Sequence, residues 1–113
     1  MKFLKLLILF FIISIFSSSN VFAEDLEIDL DAGQQIFTQN CAACHVGGQN
    51  VIIAEKTLEL EVLHKYSMDS IGAITKQVTN GNVAGMPAFG EKLSEEDIQN
   101  VANYVLNQAK IGW

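Results

Sequence analysis

The sequence has few of the side chains that build metal and redox centres, since its 113 residues include two cysteines and two histidines. Both cysteines and one histidine lie in the segment Cys41-Ala42-Ala43-Cys44-His45, and the other histidine is His64. A closed zinc site needs four ligands, so a Cys-x-x-Cys pair would have to find two more. A thioredoxin-like dithiol needs a βαβ context, and the residues around position 41 do not supply one.

The Cys-x-x-Cys-His segment is the attachment signature of c-type haem. Thiols three positions apart can reach the two vinyl groups of one porphyrin and form thioethers with them. The histidine that follows is then carried to the iron as an axial ligand. The segment therefore predicts one covalent haem c, with Cys41 and Cys44 binding the porphyrin and His45 binding the iron. A redox dithiol or a structural disulfide between the two cysteines is the alternative.

Arginine is absent from the sequence, and acidic residues outnumber lysines by thirteen to seven. Two of the lysines lie in the first 23 residues, so the remainder has five lysines against thirteen acids, a formal charge of −8. A phosphate backbone would be repelled by such a surface, which argues against nucleic acid as a partner. The charge favours a basic protein partner, or it serves only to keep the protein in solution.

Residues 1–23 have the organisation of a secretory signal peptide. A short start with two lysines precedes an unbroken apolar run over residues 6–13, and Val21 and Ala23 suit the positions before a cleavage site. The apolar run is shorter than the roughly 20 residues that a membrane span needs, which disfavours a retained anchor. We therefore expect cleavage after Ala23, no membrane span afterwards, and one domain of 90 residues over 24–113.

Apolar periodicity in this domain predicts an all-α fold, because convincing strand alternation is absent. The predicted helices number about four: one capped by Asp29, one over Thr57–Tyr66, one over Ser70–Asn80, and one that is capped by Ser94 and stopped by Gly112. The connecting loops at residues 46–56 and 81–93 are long for so small a domain. A haem enclosed between them would explain their length.

The second axial position on the iron has several candidate ligands: Met86, Met68, His64 and the lysines. Met86 lies in a glycine-flanked loop that the neighbouring Pro87 stiffens, which is a suitable place for a thioether ligand. Met68 follows the second predicted helix as ordinary core, and His64 belongs to a charged helix surface. Ligation by His45 and Met86 would leave no open position on the iron, which favours the transfer of one electron over substrate binding.

Beyond these motifs, the sequence resembles class I c-type cytochromes, and specifically cytochrome c6 of algae and cyanobacteria, over nearly all of residues 29–113. The segments that carry the resemblance are Gly33-Gln34-Gln35-Ile36-Phe37, Asn40-Cys41-Ala42-Ala43-Cys44-His45, Glu55-Lys56-Thr57-Leu58, Gln77-Val78-Thr79-Asn80-Gly81, Met86-Pro87-Ala88-Phe89-Gly90, Asn103-Tyr104-Val105-Leu106 and Gly112-Trp113. The resemblance implies the class I cytochrome c fold, in which helices wrap around one haem and the first and last helices cross closely.

For individual residues, the resemblance implies that Gly33 lies at the helix crossing, that Met86 is the sixth ligand, and that Gln77 lies near the haem. One feature departs from many class I cytochromes, which place a proline carbonyl behind the axial histidine. The only proline here is Pro87, so we expect a backbone carbonyl within residues 46–54 to accept the hydrogen bond from His45.

The function implied by the resemblance is that of a soluble, monomeric electron carrier, not an enzyme. It would take an electron from the cytochrome b6f complex and pass it to photosystem I in the thylakoid lumen of an alga or a cyanobacterium. One alternative is a carrier of the same chemistry that serves a terminal oxidase. The other alternative is a haem sensor or peroxidase, which would need an exchangeable sixth ligand.

Overall fold

Residues 27–113 of the computed structural model consist of helices and loops, with no β-strand in that range. The predicted signal peptide over 1–23 lies outside the described residues, and its cleavage stays a prediction. The predicted all-α fold is confirmed. The helices are α1 (Leu30–Asn40), α2 (Ala42–His45), α3 (Leu60–Lys65), α4 (Ile71–Asn80) and α5 (Glu95–Ile111), with a 3₁₀ turn at Val46–Gly48 after α2.

Side-chain caps set the starts of the three longer helices. The Asp29 carboxylate accepts a hydrogen bond from the Ala32 amide at 3.0 Å, and the Ser94 hydroxyl accepts one from the Asp97 amide at 3.1 Å. Ser70 is the cap of α4 and not its first helical residue. Each cap satisfies an amide that the first helical turn leaves unpaired, so these starts follow from local sequence.

The second predicted helix is shorter than the expected Thr57–Tyr66, because α3 spans Leu60–Lys65. The predicted first turn is not helical, because its residues make loop contacts instead: the Leu58 amide donates to the Gly48 carbonyl at 2.7 Å. At the other end, Ser67 has a φ of +57°, a left-handed conformation that ends the helix. The difference arises because a bond to a residue ten positions earlier competes with helical hydrogen bonding.

The helices α1 and α5 cross at Gly33, as the resemblance implies. A Cβ atom built on Gly33 would lie 2.8 Å from Tyr104 Cβ and closer still to the backbone oxygen of Asn100. One turn further on, the rings of Phe37 and Tyr104 pack with centroids 5.5 Å apart. The crossing places the C-terminal end of α1, and with it Cys41, beside α5.

The buried side of α5 supplies much of the core that the haem motif faces. Val101 is 1% exposed and Ala102 is fully buried. The buried apolar residues of this helix are Ile98, Val101, Ala102, Val105, Leu106 and Ala109. In the part of the chain that the structure describes, no helix is long and apolar enough to cross a bilayer.

Candidate functional site

A largely apolar cavity of about 370 Å³ lies between the helices, and Cys41, Cys44, His45 and Met86 all line it. The two ends of this set come from separate segments, since His45 closes α2 and Met86 lies in the loop after α4. The apolar part of the wall includes Phe37, Leu58, Ile74, Phe89, Val101 and Val105. The tertiary fold thus brings together the four residues that the sequence singles out.

Cys41 caps the junction of α1 and α2, Cys44 follows within the same turn, and the two cysteines form no disulfide with each other. The amides of Cys44 and His45 both donate to the Cys41 carbonyl, at 3.1 and 2.9 Å, so the motif forms one tight turn. Burial, and then the negative charge of Cys44, raise the pKa of the Cys41 thiol to about 11. A reactive dithiol needs a lowered thiol pKa, so the redox-dithiol alternative gains no support.

The imidazole of His45 is oriented by a backbone carbonyl, as expected. Its Nδ1 lies 2.9 Å from the carbonyl oxygen of Gln49, inside the predicted range of residues 46–54. This contact places the ring proton on Nδ1 and leaves Nε2 as the nitrogen that a metal can take. The turn that presents the carbonyl needs positive φ angles at Gly47 and Gly48, +62° and +78°.

The Met86 side chain is held by contacts from α4 and from its own loop. The amide nitrogen of Gln77 donates a hydrogen bond to Met86 Sδ at 3.4 Å, and Gln77 itself lines the cavity as expected. The backbone amide of Met86 donates to Asn82 Oδ1 at 3.2 Å. The loop folds back on the end of α4 so closely that a Cβ on Gly81 would lie 2.6 Å from the carbonyl carbon of Pro87.

Met68 and His64, two of the other candidate ligands, differ in position. Met68 also lines the cavity, as a half-buried side chain. His64 does not line it: its side chain is 80% exposed, and its Nδ1 lies 2.8 Å from Asp69 Oδ2. The hydrogen bond from His64 lowers the pKa of Asp69. The structure therefore leaves His64 on the surface, where the sequence places it.

Two loops that line the cavity, through residues such as Ile52 and Ala84, also carry exposed apolar side chains. Val51 is 64% exposed, Ile52 is 55% exposed, and Val83 is fully exposed. The loops meet here, since a Cβ on Gly85 would lie 3.5 Å from Ile52 Cδ1. These residues are not buried core, so they form an apolar rim (Val51, Ile52 and Val83) beside the cavity.

The chain is similar to known proteins in family, sequence and structure. Residues 28–105 match the family model described as cytochrome c oxidase, cbb3-type, subunit III. Cytochrome c6 of Gracilaria tenuistipitata var. liui is 53% identical over 110 residues, which cover 97% of this chain and 100% of that relative. Cytochrome c6 of Bumilleriopsis filiformis is 58% identical over 85 residues, which cover 75% of this chain and 98% of that relative.

The chain belongs to the cytochrome c6 family. Among solved structures, cytochrome c6 from the diatom Phaeodactylum tricornutum has a TM-score of 0.73 and 56% identity, covering 75% of this chain and 99% of that chain. Cytochrome c6C from Synechococcus sp. PCC 7002 has a TM-score of 0.70 and 41% identity, covering 73% of this chain and 99% of that chain. The protein is therefore a c-type cytochrome that carries electrons, and it is not an enzyme.

The cofactor of a cytochrome c6 with a Cys-x-x-Cys-His segment is one covalently bound haem c, and the site fits it. The cavity volume falls within the roughly 300–1,000 Å³ of pockets that hold small ligands and cofactors. Its wall is mostly apolar, which suits a porphyrin face. Its donors are two thiols, an imidazole and thioether sulfurs, which is the set that haem c takes as anchors and axial ligands.

Two residues that organise this cytochrome c6 site were not predicted from the sequence. Asn82 accepts hydrogen bonds from the amides of Ala84 and Met86 and so shapes the Met86 loop. Asn50 accepts hydrogen bonds from the amides of Ile52 and Ile53 and so shapes the rim loop. Asparagine in a loop often bonds its own backbone two residues further on, and that signal could have identified both.

Proposed function

We propose that this cytochrome c6 carries single electrons from the cytochrome b6f complex to photosystem I in the thylakoid lumen. We also propose that residues 1–23 are removed as a signal peptide before it acts. One observation carries the proposal: both cysteines of the motif, its histidine and Met86 line a single apolar cavity with an exposed apolar rim. Such an arrangement suits a buried redox centre that meets its partners at one edge.

In this proposal each donor has one role. The thiols of Cys41 and Cys44 would bind the porphyrin as thioethers, and His45 Nε2 and Met86 Sδ would hold the iron. Haem iron in this ligand set supplies reversible one-electron exchange at a raised potential. The protein contributes orientation: the Gln49 carbonyl holds His45, and the Gln77 amide and Asn82 hold Met86.

The contacts that hold the two proposed axial ligands in place also favour an electron carrier over a sensor or peroxidase. A sensor or peroxidase needs a sixth position that a substrate can enter. Here the Met86 sulfur accepts a hydrogen bond from Gln77, and its loop is bound to the end of α4 through the amides of Phe89 and Gly90, which donate to the carbonyls of Val78 and Thr79 at 2.9 and 3.1 Å. A ligand fixed at this many points is poorly suited to exchange.

The attachment can be tested without any partner protein. Acid–acetone extraction should leave the haem on the polypeptide, and the mass of the mature protein should equal that of 90 residues plus one haem. Cys44→Ala should retain at most one thioether. Haem released into the solvent from the wild-type protein would overturn the covalent assignment of Cys41 and Cys44, and a mass that includes residues 1–23 would overturn the cleavage alone.

The docking part of the proposal places the partner at the apolar rim, because a dry contact there excludes water from the route of the electron. Val51→Lys should lower the second-order rate of electron transfer to isolated photosystem I in flash kinetics and leave the absorbance spectrum intact. Ile111→Lys is the matched control, because it adds the same charge at an apolar side chain that is 72% exposed at the end of α5 and lies outside both rim loops. Equal rates in both variants would exclude the rim as the docking surface.

The proposed partner surface is basic, because the described residues contain eleven acids against five lysines and only one ion pair, His64–Asp69. Glu59, Glu61 and Asp69 are exposed around α3. Replacing them together with the corresponding amides should lower the association rate at low salt and flatten its salt dependence, since screening acts over about 10 Å at 0.1 M salt. The electron-transfer rate inside the complex should hardly change.

A matched triple variant at the start of α5 serves as the comparison, with Glu91, Glu95 and Glu96 replaced by glutamine. These three acids are also exposed. If only the α5 variant changes the salt dependence, the docking patch is there and not at α3. If neither variant changes it, electrostatic steering is not part of the function.

A terminal oxidase is the second candidate partner, and the description of the matching family model favours it. The matching range ends at residue 105, whereas the similarity to Gracilaria cytochrome c6 covers 97% of the chain. The two partners are separated by measuring oxidation of the reduced protein by isolated photosystem I and by a cbb3-type oxidase under the same conditions. Faster oxidation by the oxidase would reverse the proposal.

A further inference from the structure

We propose that Trp113 is a positioning residue for the axial histidine, because its indole fixes the turn that presents the Gln49 carbonyl to His45. This inference rests on the proposed ligation of iron by His45. It adds to that proposal a set of tertiary contacts, made by a residue far from His45 in the sequence, that determines how strongly the imidazole can donate to the iron.

The first link is the contact between the indole and Gly48. A Cβ atom built on Gly48 would lie 2.5 Å from Trp113 Cδ1 and from Cδ2, so the ring lies directly on the glycine backbone. Gly48 is buried, although the residues on both sides of it are exposed. A side chain at this position would displace either the ring or the turn.

The second link is a pair of hydrogen bonds that connects the indole of Trp113 to Gly48 through Leu58. The indole Nε1 of Trp113 donates to the Leu58 carbonyl at 2.9 Å, across 55 residues of sequence. The Leu58 amide in turn donates to the Gly48 carbonyl at 2.7 Å. Gly48 is therefore held by the ring on one side and by Leu58 on the other, and Leu58 is itself held by the indole.

The third link runs from Gly48 to the histidine, since the next residue supplies the acceptor. The Gln49 carbonyl lies 2.9 Å from His45 Nδ1, and the Gln49 amide donates to Val46 at 3.1 Å. Hydrogen bonds weaken steeply with distance and angle, so a small shift of the Gly48–Gln49 peptide would loosen this contact. An imidazole whose Nδ1 proton is less firmly accepted is a weaker donor to the metal.

A purely structural role for Trp113 is the competing explanation, because its ring also packs on Phe37 with centroids 5.2 Å apart. The two explanations differ in what changes when the indole is removed. Loss of packing lowers only thermal stability. Loss of positioning also speeds exchange of the His45 Nδ1 proton and raises the midpoint potential, because a weaker imidazole donor stabilises ferric iron less.

The experiment compares Trp113→Ala and Trp113→Phe with Leu106→Ala in the reduced holoprotein. Leu106 is a buried α5 residue, 8% exposed, that does not line the cavity. In Trp113→Ala we expect His45 Nδ1–H exchange, followed by NMR, to be about fivefold faster, as for the loss of one hydrogen bond. The midpoint potential should rise. Trp113→Phe, which keeps a ring on Gly48 but loses the indole donor, should give smaller changes in the same direction.

Leu106→Ala should lower thermal stability with the Nδ1–H exchange rate and the potential unchanged. If Trp113→Ala and Trp113→Phe likewise change only stability, positioning by Trp113 is refuted. If Trp113→Ala does not fold, Trp113→Phe alone decides, with the same two readouts. Failure of the underlying ligation is recognised separately: the His45 ring protons of the wild-type protein would then lack the large shifts that an iron-bound imidazole shows in the haem ring current.

Discussion

The hydrogen bond from Gln77 to the Met86 sulfur should tune the redox potential, and Gln77→Leu tests this at nearly constant side-chain volume. The amide Nε2 lies 3.4 Å from Sδ. An N–H directed at the sulfur competes for the electron density that a ferric iron needs more than a ferrous iron does. Removing the donor should therefore strengthen the ferric bond and lower the midpoint potential.

The size of the shift follows from the strength of the bond. Thioether sulfur is a weak acceptor, so the Gln77 bond belongs at the lower end of net hydrogen-bond strengths, about 0.5–1 kcal/mol. A tenfold change in a one-electron equilibrium corresponds to about 59 mV and to about 1.36 kcal/mol, which converts that energy to about 20–45 mV. This is the largest shift the bond can cause, because it assumes that the bond is made in only one oxidation state.

The assay is a redox titration followed by absorbance, with Gln35→Leu as the control. Gln35 is exposed on α1 and does not line the cavity, so its replacement should leave the potential at the wild-type value. A rise in potential for Gln77→Leu would show that the sign of the argument is wrong. An unchanged potential, with the sulfur–iron absorbance band still present, would show that the contact has no effect on the iron.

Four further changes test other parts of the structure. Met86→Ala should abolish the sulfur–iron band and lower the midpoint potential by more than Gln77→Leu does, and a retained band would assign the ligand elsewhere. Gly33→Ala should destabilise by about 1–3 kcal/mol in thermal unfolding, because its Cβ meets backbone that cannot move aside. Gly72→Ala, with nothing within 4 Å, should stabilise by about 0.5–1 kcal/mol. The contact with His64 lowers the pKa of Asp69. The contribution of this contact to the stability of the folded protein is therefore present above the ordinary carboxyl pKa, and it is lost as the pH falls through the lowered pKa. Asp69→Asn should remove that part of the acid dependence of thermal stability, and an unchanged profile would contradict it.

The sequence by itself was sufficient for the parts of this cytochrome c6 that depend on near neighbours. The Asp29 and Ser94 caps each bond an amide three residues further on, so their residue types reveal them. The haem motif is equally local, since its two cysteines and histidine share one turn. For the His45 ring, the sequence predicted only that a backbone carbonyl within residues 46–54 accepts the hydrogen bond. The structure shows that this carbonyl belongs to Gln49.

Tertiary structure alone decided the contacts between distant segments. The bond from Trp113 to Leu58 spans 55 residues, and the bond from Gln77 to Met86 joins a helix to the loop beyond it. The early residues of the second predicted helix were lost for the same reason, because the Leu58 amide bonds to Gly48 and not within a helix. Periodicity and capping describe a segment in isolation, whereas these bonds exist only after the chain has closed around the cavity and offered each donor a competing acceptor.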